Sequence, residues 1–250
     1  MTELEDIVER AYQLFGNYKV KAPLDVCTDC CMSKEEERQL VNLSVRHIPF
    51  ELLYEYNTAA KPKKPDMDEF RHFLPRFLEL TAELQFLHHS LPIVLYRFDS
   101  YDKDDWNEDE QQLMQDFGLA FFKKCLSTYP LPDLEDIEGV LIMLYRTKID
   151  MNPLLELWLQ QDNIESVLHF NELHQTTMNA KGYAKSLSAF ADDQIAEMIY
   201  TWITNSNTKS TFAGYIEEHI LNPSTAVGDS ELTQLSWTYD LLTFNTSANS

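Results

Sequence analysis

Apolar residues along this chain recur every three to four positions, the spacing of one helix face and not the alternation of a strand. Leu4, Ile7, Val8, Ala11, Leu14 and Phe15 form the first such stripe, and Gly16 stands where helices commonly end. Ser33 followed by Glu36 has the order of a capping box, in which each side chain satisfies the other residue's backbone N–H, so a helix is predicted to start there. Pro49 suits the first turn of a helix running through Leu52, Leu53 and Tyr56. Lys61-Pro62-Lys63-Lys64-Pro65 reads as a loop. Asp66 and Glu69 then open a long helix carrying Phe70, Phe73, Leu74, Phe77, Leu78 and Leu80, which Pro75 is expected to kink or split.

The second half has the same period. Residues 106–127 are predicted to form one long helix with Leu113, Met114, Phe117, Phe121 and Leu126 inward. Asp133 is placed to cap a helix through Ile137, Val140, Leu141 and Leu144. Further helices are expected over about 152–160, 163–180, 192–204, 209–221 and 229–243, joined by short Ser/Asn/Thr-rich links such as 204–208. Trp158, Trp202 and Trp237 fall in apolar stripes and are expected in the core. The fold class is therefore all-α, an irregular multi-helix array of antiparallel helical hairpins, solenoid-like but without a fixed repeat period. The expected organisation is a cysteine-bearing helical subdomain over 1–98, an acidic helical array over 99–244 and a polar, frayed tail over 245–250.

Charge changes the picture more than composition does. Acids outnumber bases 41 to 20, a formal charge of −21, and the sequence pI is near 4.6. That balance argues against nucleic-acid and anionic-membrane partners, which need Lys/Arg patches. No apolar run approaches the roughly 18 residues of a membrane span. The acidic start Met1-Thr2-Glu3-Leu4-Glu5-Asp6 is unlike a secretory leader, so a cytoplasmic location is expected. Residues 1–104 hold 19 acids and 13 bases, whereas 105–250 hold 22 acids and 7 bases. The densest run is Asp99, Asp102, Asp104, Asp105, Glu108, Asp109 and Glu110, interrupted by Lys103 alone among the bases. Such a run is either a solvated cap facing a helix dipole or an anionic face for a basic partner.

Candidate chemistry is sparse. Cys27, Cys30 and Cys31 cluster in a Cys-x-x-Cys-Cys run that offers three thiolates to a zinc ion, with a fourth ligand drawn from His47, His72, His88 or His89. Inert packed thiols are the reading favoured over the metal site, and redox chemistry, the remaining alternative, lacks its usual βαβ context. Cys125 stands alone in an apolar stripe. His169 and His174 are spaced i, i+5, which does not put two ligands on one helix face, so an ordinary helix surface is expected there. His88-His89 is expected at a helix end, bonding the last carbonyls. The phosphate-loop, dinucleotide and nucleophile-elbow patterns are absent, and with 6 glycines the chain has little material for phosphate-cradling loops.

Three ordered blocks carry a resemblance. They are Leu24-Asp25 with Cys27-Thr28 and Cys30-Cys31-Met32-Ser33; Ile48-Pro49 with Leu52-Leu53-Tyr54, Tyr56-Asn57 and Ala59-Ala60; and Glu69-Phe70-Arg71-His72-Phe73-Leu74-Pro75-Arg76-Phe77-Leu78-Glu79-Leu80. The stretch from 24 to about 98 is similar to a group of uncharacterised bacterial cytoplasmic proteins, which implies a bacterial source and a helical fold but transfers no catalytic residue. Small, acidic, helical chains without catalytic motifs also resemble, by class, immunity proteins that neutralise toxins. The leading expectation is a non-enzymatic binding protein of that kind, occluding the active site of a basic toxin domain with the 99–116 surface and other acids of the second half. A zinc protein built on Cys27, Cys30 and Cys31, or a helical adaptor with a peptide groove, is the alternative.

Overall fold

Many helices in this protein start where a side chain can satisfy the first free N–H groups of the turn. In the computed structural model, which describes residues 2–29, 31–178, 188–223 and 227–244, Thr2 and Glu5 form a capping box for α1 (Glu3–Leu14). The expected Ser33/Glu36 box opens α2 (Lys34–Asn42), Pro49 precedes α3 (Phe50–Thr58), and Asp66 caps α4 (Met67–Ala82). The remaining helices are α5 (Glu108–Leu126), α6 (Ile137–Arg146), α7 (Asn152–Trp158), α8 (Ile164–Thr177), α9 (Asp193–Thr204), α10 (Ser206–Leu221) and α11 (Asp229–Phe244). Short 3-10 turns lie between several of them, and the described residues contain no strand. The fold is an all-α, irregular multi-helix array. Cys30, the last residues of the helix expected over 163–180, and the tail expected over 245–250 lie outside the described residues.

Several local expectations need correction. Pro75 does not split its helix: α4 runs through it, because the burial of Phe70, Phe73, Leu74 and Phe77 outweighs one lost backbone bond. Trp106 precedes α5, which starts at Glu108 under an Asn107 cap. Asp133 has φ 57° inside a 3-10 turn, and the residue that caps α6 is Asp136, whose Oδ1 accepts from Gly139 N at 2.8 Å. The link expected over 204–208 shrinks to Asn205, which ends α9 and caps α10.

Residues 1–121 with 143–150 form one unit, and 122–142 with 151–250 form the other; the boundary expected at 98/99 falls inside the first. In the first unit, α1 packs on α4 and α2 on α3. Its core is aromatic: Tyr56 lies 4.7 Å from Phe73, Phe70 meets Phe77 edge-on at 5.9 Å, and Phe98 stacks on Trp106 at 4.8 Å.

In the second unit most of α8 is buried, and polar residues are buried on it together with apolar ones. Ser166, His169, Asn171, His174 and Thr177 are all inaccessible, which corrects the expected surface role of the two histidines. His169 donates Nε2–H to the carbonyls of Thr128 (2.9 Å) and Cys125 (3.2 Å), which helps to offset the cost of burying it. Burial and the nearby Lys209 charge pull His174 down to about 4, so it is neutral at pH 7. Trp158 is fully buried against Trp202 at 4.9 Å, and Phe170 stacks on Phe212 at 3.7 Å. Trp237 is not a core residue, being 64% exposed on α11, because the α8 side of that helix is filled by Leu235, Thr238 and Leu242. Phe170→Ala is expected to cost about 3–5 kcal/mol in urea unfolding, whereas Trp237→Ala stays within about 0.5 kcal/mol.

Candidate functional site

The acidic segment is held from beneath by aromatic rings. Trp106 inserts among Phe98, Phe70 and Tyr101, with ring centroids 4.8, 6.2 and 6.1 Å away. This fixes the two 3-10 turns Tyr96–Ser100 and Lys103–Asp105 ahead of α5. Asn107 and Glu110 then make a reciprocal capping box, Glu110 N to Asn107 Oδ1 at 2.9 Å and Asn107 N to Glu110 Oε2 at 3.0 Å.

Arg71 of α4 locks this arrangement. Its guanidinium donates to the Asp105 carbonyl (2.7 Å) and to Glu110 Oε2 (2.8 Å), and lies over the rings of Tyr18 and Trp106. Glu110 is 1% exposed and also accepts from the Tyr18 hydroxyl at 3.3 Å. It is therefore a buried tether and not part of an outward face. Asp99 is exposed but paired with Arg146. Asp102, Asp104, Asp105, Glu108 and Asp109 are the carboxylates left on the surface, with Asp102 N donating to Asp105 Oδ2 at 2.8 Å to shape the turn.

The cysteine loop is pinned by a second set of acids. Leu24 N donates to Glu37 Oε1 at 2.7 Å, and Asp25 N donates to both Glu69 oxygens at 2.9 and 3.1 Å. Asp25 in turn accepts from Asp66 N, and Cys27 N bonds Ala60 O at 2.8 Å. Cys27 is half-buried and Cys31 exposed, while Cys30 lies outside the described residues. The four histidines considered as a fourth ligand are engaged elsewhere: His72 donates Nδ1–H to Tyr18 O, His47 bonds Ser44, and His88 and His89 contact each other. Among the described residues no three His, Cys, Asp or Glu side chains are arranged to hold a metal ion. His88-His89 lies beyond the end of α4, which corrects its expected place at a helix terminus; burial and the neighbouring imidazole draw His88 down to about 4. Cys125 is fully buried, and burial pushes its thiol far above the usual range.

Comparison with protein-family models, curated proteins and solved structures finds no match to this chain. The geometry carries the functional reading alone. Of the residues that matter to it, the pattern Asn107-x-x-Glu110 was available as a capping signal at three-residue spacing. Arg71 and Tyr18 had no local signal, since their partner lies 39 and 92 residues along the chain.

Two outcomes follow from these buried acids. Arg71→Ala strands the Glu110 carboxylate in the interior and is expected to cost about 3–5 kcal/mol in urea unfolding, against about 0.5 kcal/mol or less for Asp104→Asn on the surface. Glu69 is raised from 4.5 to about 7, chiefly by burial, against the opposing bonds from Asp25 N and Tyr56. Its folded pKa lies above the unfolded one, so its contribution is fully present below about pH 4.5. That contribution is lost as pH rises through 7, up to roughly 3 kcal/mol. Melting temperature measured from pH 4.5 to 8 is expected to fall across this window, and Glu69→Gln is expected to flatten that part of the profile.

Proposed function

We propose that this protein is a non-enzymatic binding protein that receives a basic partner on the exposed carboxylates of 102–109. In its most concrete form it is an immunity protein that occludes the active site of a basic toxin domain. The observation that supports this is a division of labour among the acids. Asn107 and Glu110 already supply the N-terminal cap of α5, and Glu110 is consumed by Arg71. Asp102, Asp104 and Asp105 precede α5, so its dipole does not account for them; Asp102 and Asp105 cap the 3-10 turn with part of their hydrogen-bonding capacity and keep their carboxylates exposed.

The segment is also preorganised. Its backbone is fastened by Trp106, Arg71 and the Asp105 side chain, so little chain entropy remains to be lost when a partner docks. Exposed like charges on a rigid support raise the association rate with a cationic surface and discriminate against anionic ones.

The test is charge reversal against a partner recovered by affinity capture from the native host and identified by mass spectrometry. Asp102→Lys, Asp104→Lys, Asp105→Lys and Glu108→Lys combined are expected to slow association and weaken binding by at least about a hundredfold. The wild-type complex is expected to weaken steeply with salt. Unchanged affinity in the reversed variant removes this surface from the interface.

A further inference from the structure

The second unit carries a groove that the acidic segment does not explain. One wall is a single face of α9, where Glu197, Met198, Thr201, Trp202 and Asn205 succeed one another at helical spacing. A neighbouring stripe of α9, Ile195, Ile199 and Ile203, is spent on the core. The other wall is α7 and its C-terminal end, with Leu155, Glu156 and Leu159. The groove holds about 820 Å³, within the range of sites that accept ligands. Its length along α9, from Gln194 to Asn205, is about 16 Å, three turns of a helix.

We infer that this groove binds a short basic amphipathic helix of a partner protein, apolar side chains on Leu155, Leu159, Met198 and Trp202, and Lys or Arg against Glu156 and Glu197. The argument is chemical complementarity. Glu156 and Glu197 are the charged residues that line the groove; they are exposed, and one stands on each wall. The unit around them holds sixteen acids against five lysines and no arginine. Asp192 and Asp193 at the start of α9 add to the same field. Lys209, close in sequence to the groove's Thr208, is half-buried, and its charge acts on His174 of α8.

A second copy of the chain would bring the same negative unit against these acids, which charge repulsion opposes. The floor suits a helix because Met198 is unbranched and adapts to varied side chains, while Trp202 is held in place by its stack on Trp158. The groove is built from the second unit and shares no residue with the 102–109 surface, so either proposal can fail without the other.

The probe is a fluorescein-labelled Leu/Lys amphipathic peptide of about twelve residues, followed by anisotropy on the full chain at about 150 mM salt. A Leu/Glu peptide and a Ser/Lys peptide are the comparisons. Binding of the Leu/Lys peptide is expected, with none for Leu/Glu and at least about a tenfold loss for Ser/Lys. Glu156→Lys with Glu197→Lys changes exposed positions only, so the fold is retained by circular dichroism, and a loss of about tenfold or more is expected. Unchanged binding by that double variant overturns the inference, as does equal binding of the Ser/Lys peptide or no binding at all. Loss of binding in the variant reversed at Asp102, Asp104, Asp105 and Glu108 would move the peptide to the other surface. Self-association abolished by the groove variant would make the occupant a second copy.

Discussion

A charge taken out of water must be met by a partner, and α4 takes two carboxylates and two guanidinium groups into or partly into the first unit. Each then pulls a separate stretch of chain onto the helix. Glu69 accepts from Asp25 N and the Tyr56 hydroxyl and so pins the cysteine loop. Arg71 pairs with Glu110 and binds the Asp105 carbonyl, which fastens the acidic segment. Arg76 donates to Ile48 O, and Glu79 accepts from Tyr12 at 2.6 Å, joining the turn before α3 and α1 to the same strut. The aromatic face of α4 supplies the adhesion in this unit, and its charges decide which loop sits where.

Among the described residues, the second unit solves the same problem without ion pairs at its centre. The buried polar positions of α8 carry hydroxyl, amide and imidazole groups, and its two carboxylates, Glu165 and Glu172, stay partly exposed. Thr238 and Asn171 bond each other at 2.7 Å, and His169 donates to two carbonyls at the end of α5. Burial keeps His174 neutral, which removes the cost of an interior cation. With α8, α10 and α11 packed on one another, Ile195, Ile199 and Ile203 bury one side of α9 and leave another side facing α7 across the groove.

Two sets of acids in this chain have opposite uses. Glu37, Glu69 and Glu110 are spent inside on backbone N–H groups and one guanidinium. Asp102, Asp104, Asp105, Glu108 and Asp109 on one unit, and Glu156 and Glu197 on the other, remain at the surface. Both outward sets stand on supports fixed by aromatic packing, Trp106 beneath the first and Trp202 beside the second. Association with cationic protein surfaces is what we propose for both, one through exposed carboxylates and one through a groove with apolar lining.

Most of the helices were legible in the sequence, because their determinants lie within four residues of one another. The Ser33/Glu36 box, the stripe from Phe70 to Leu80 and the acidic run each act locally, and each appears where its spacing predicts. What the linear pattern does not contain is which members of a stripe meet a partner. Glu110 and Asp109 are neighbours in one acidic run, yet one is buried under Arg71 and the other faces solvent. Trp158 and Trp237 have similar settings in sequence, yet one is enclosed and the other exposed. His169 and His174 read as surface because their i, i+5 spacing ignores what covers the helix, and neighbours packed around α8 bury both. Helix formation follows from short-range hydrogen bonding and periodicity, which the sequence by itself determines. Whether a charge becomes a tether or a binding surface depends on groups tens of residues away, so only the tertiary structure decides it.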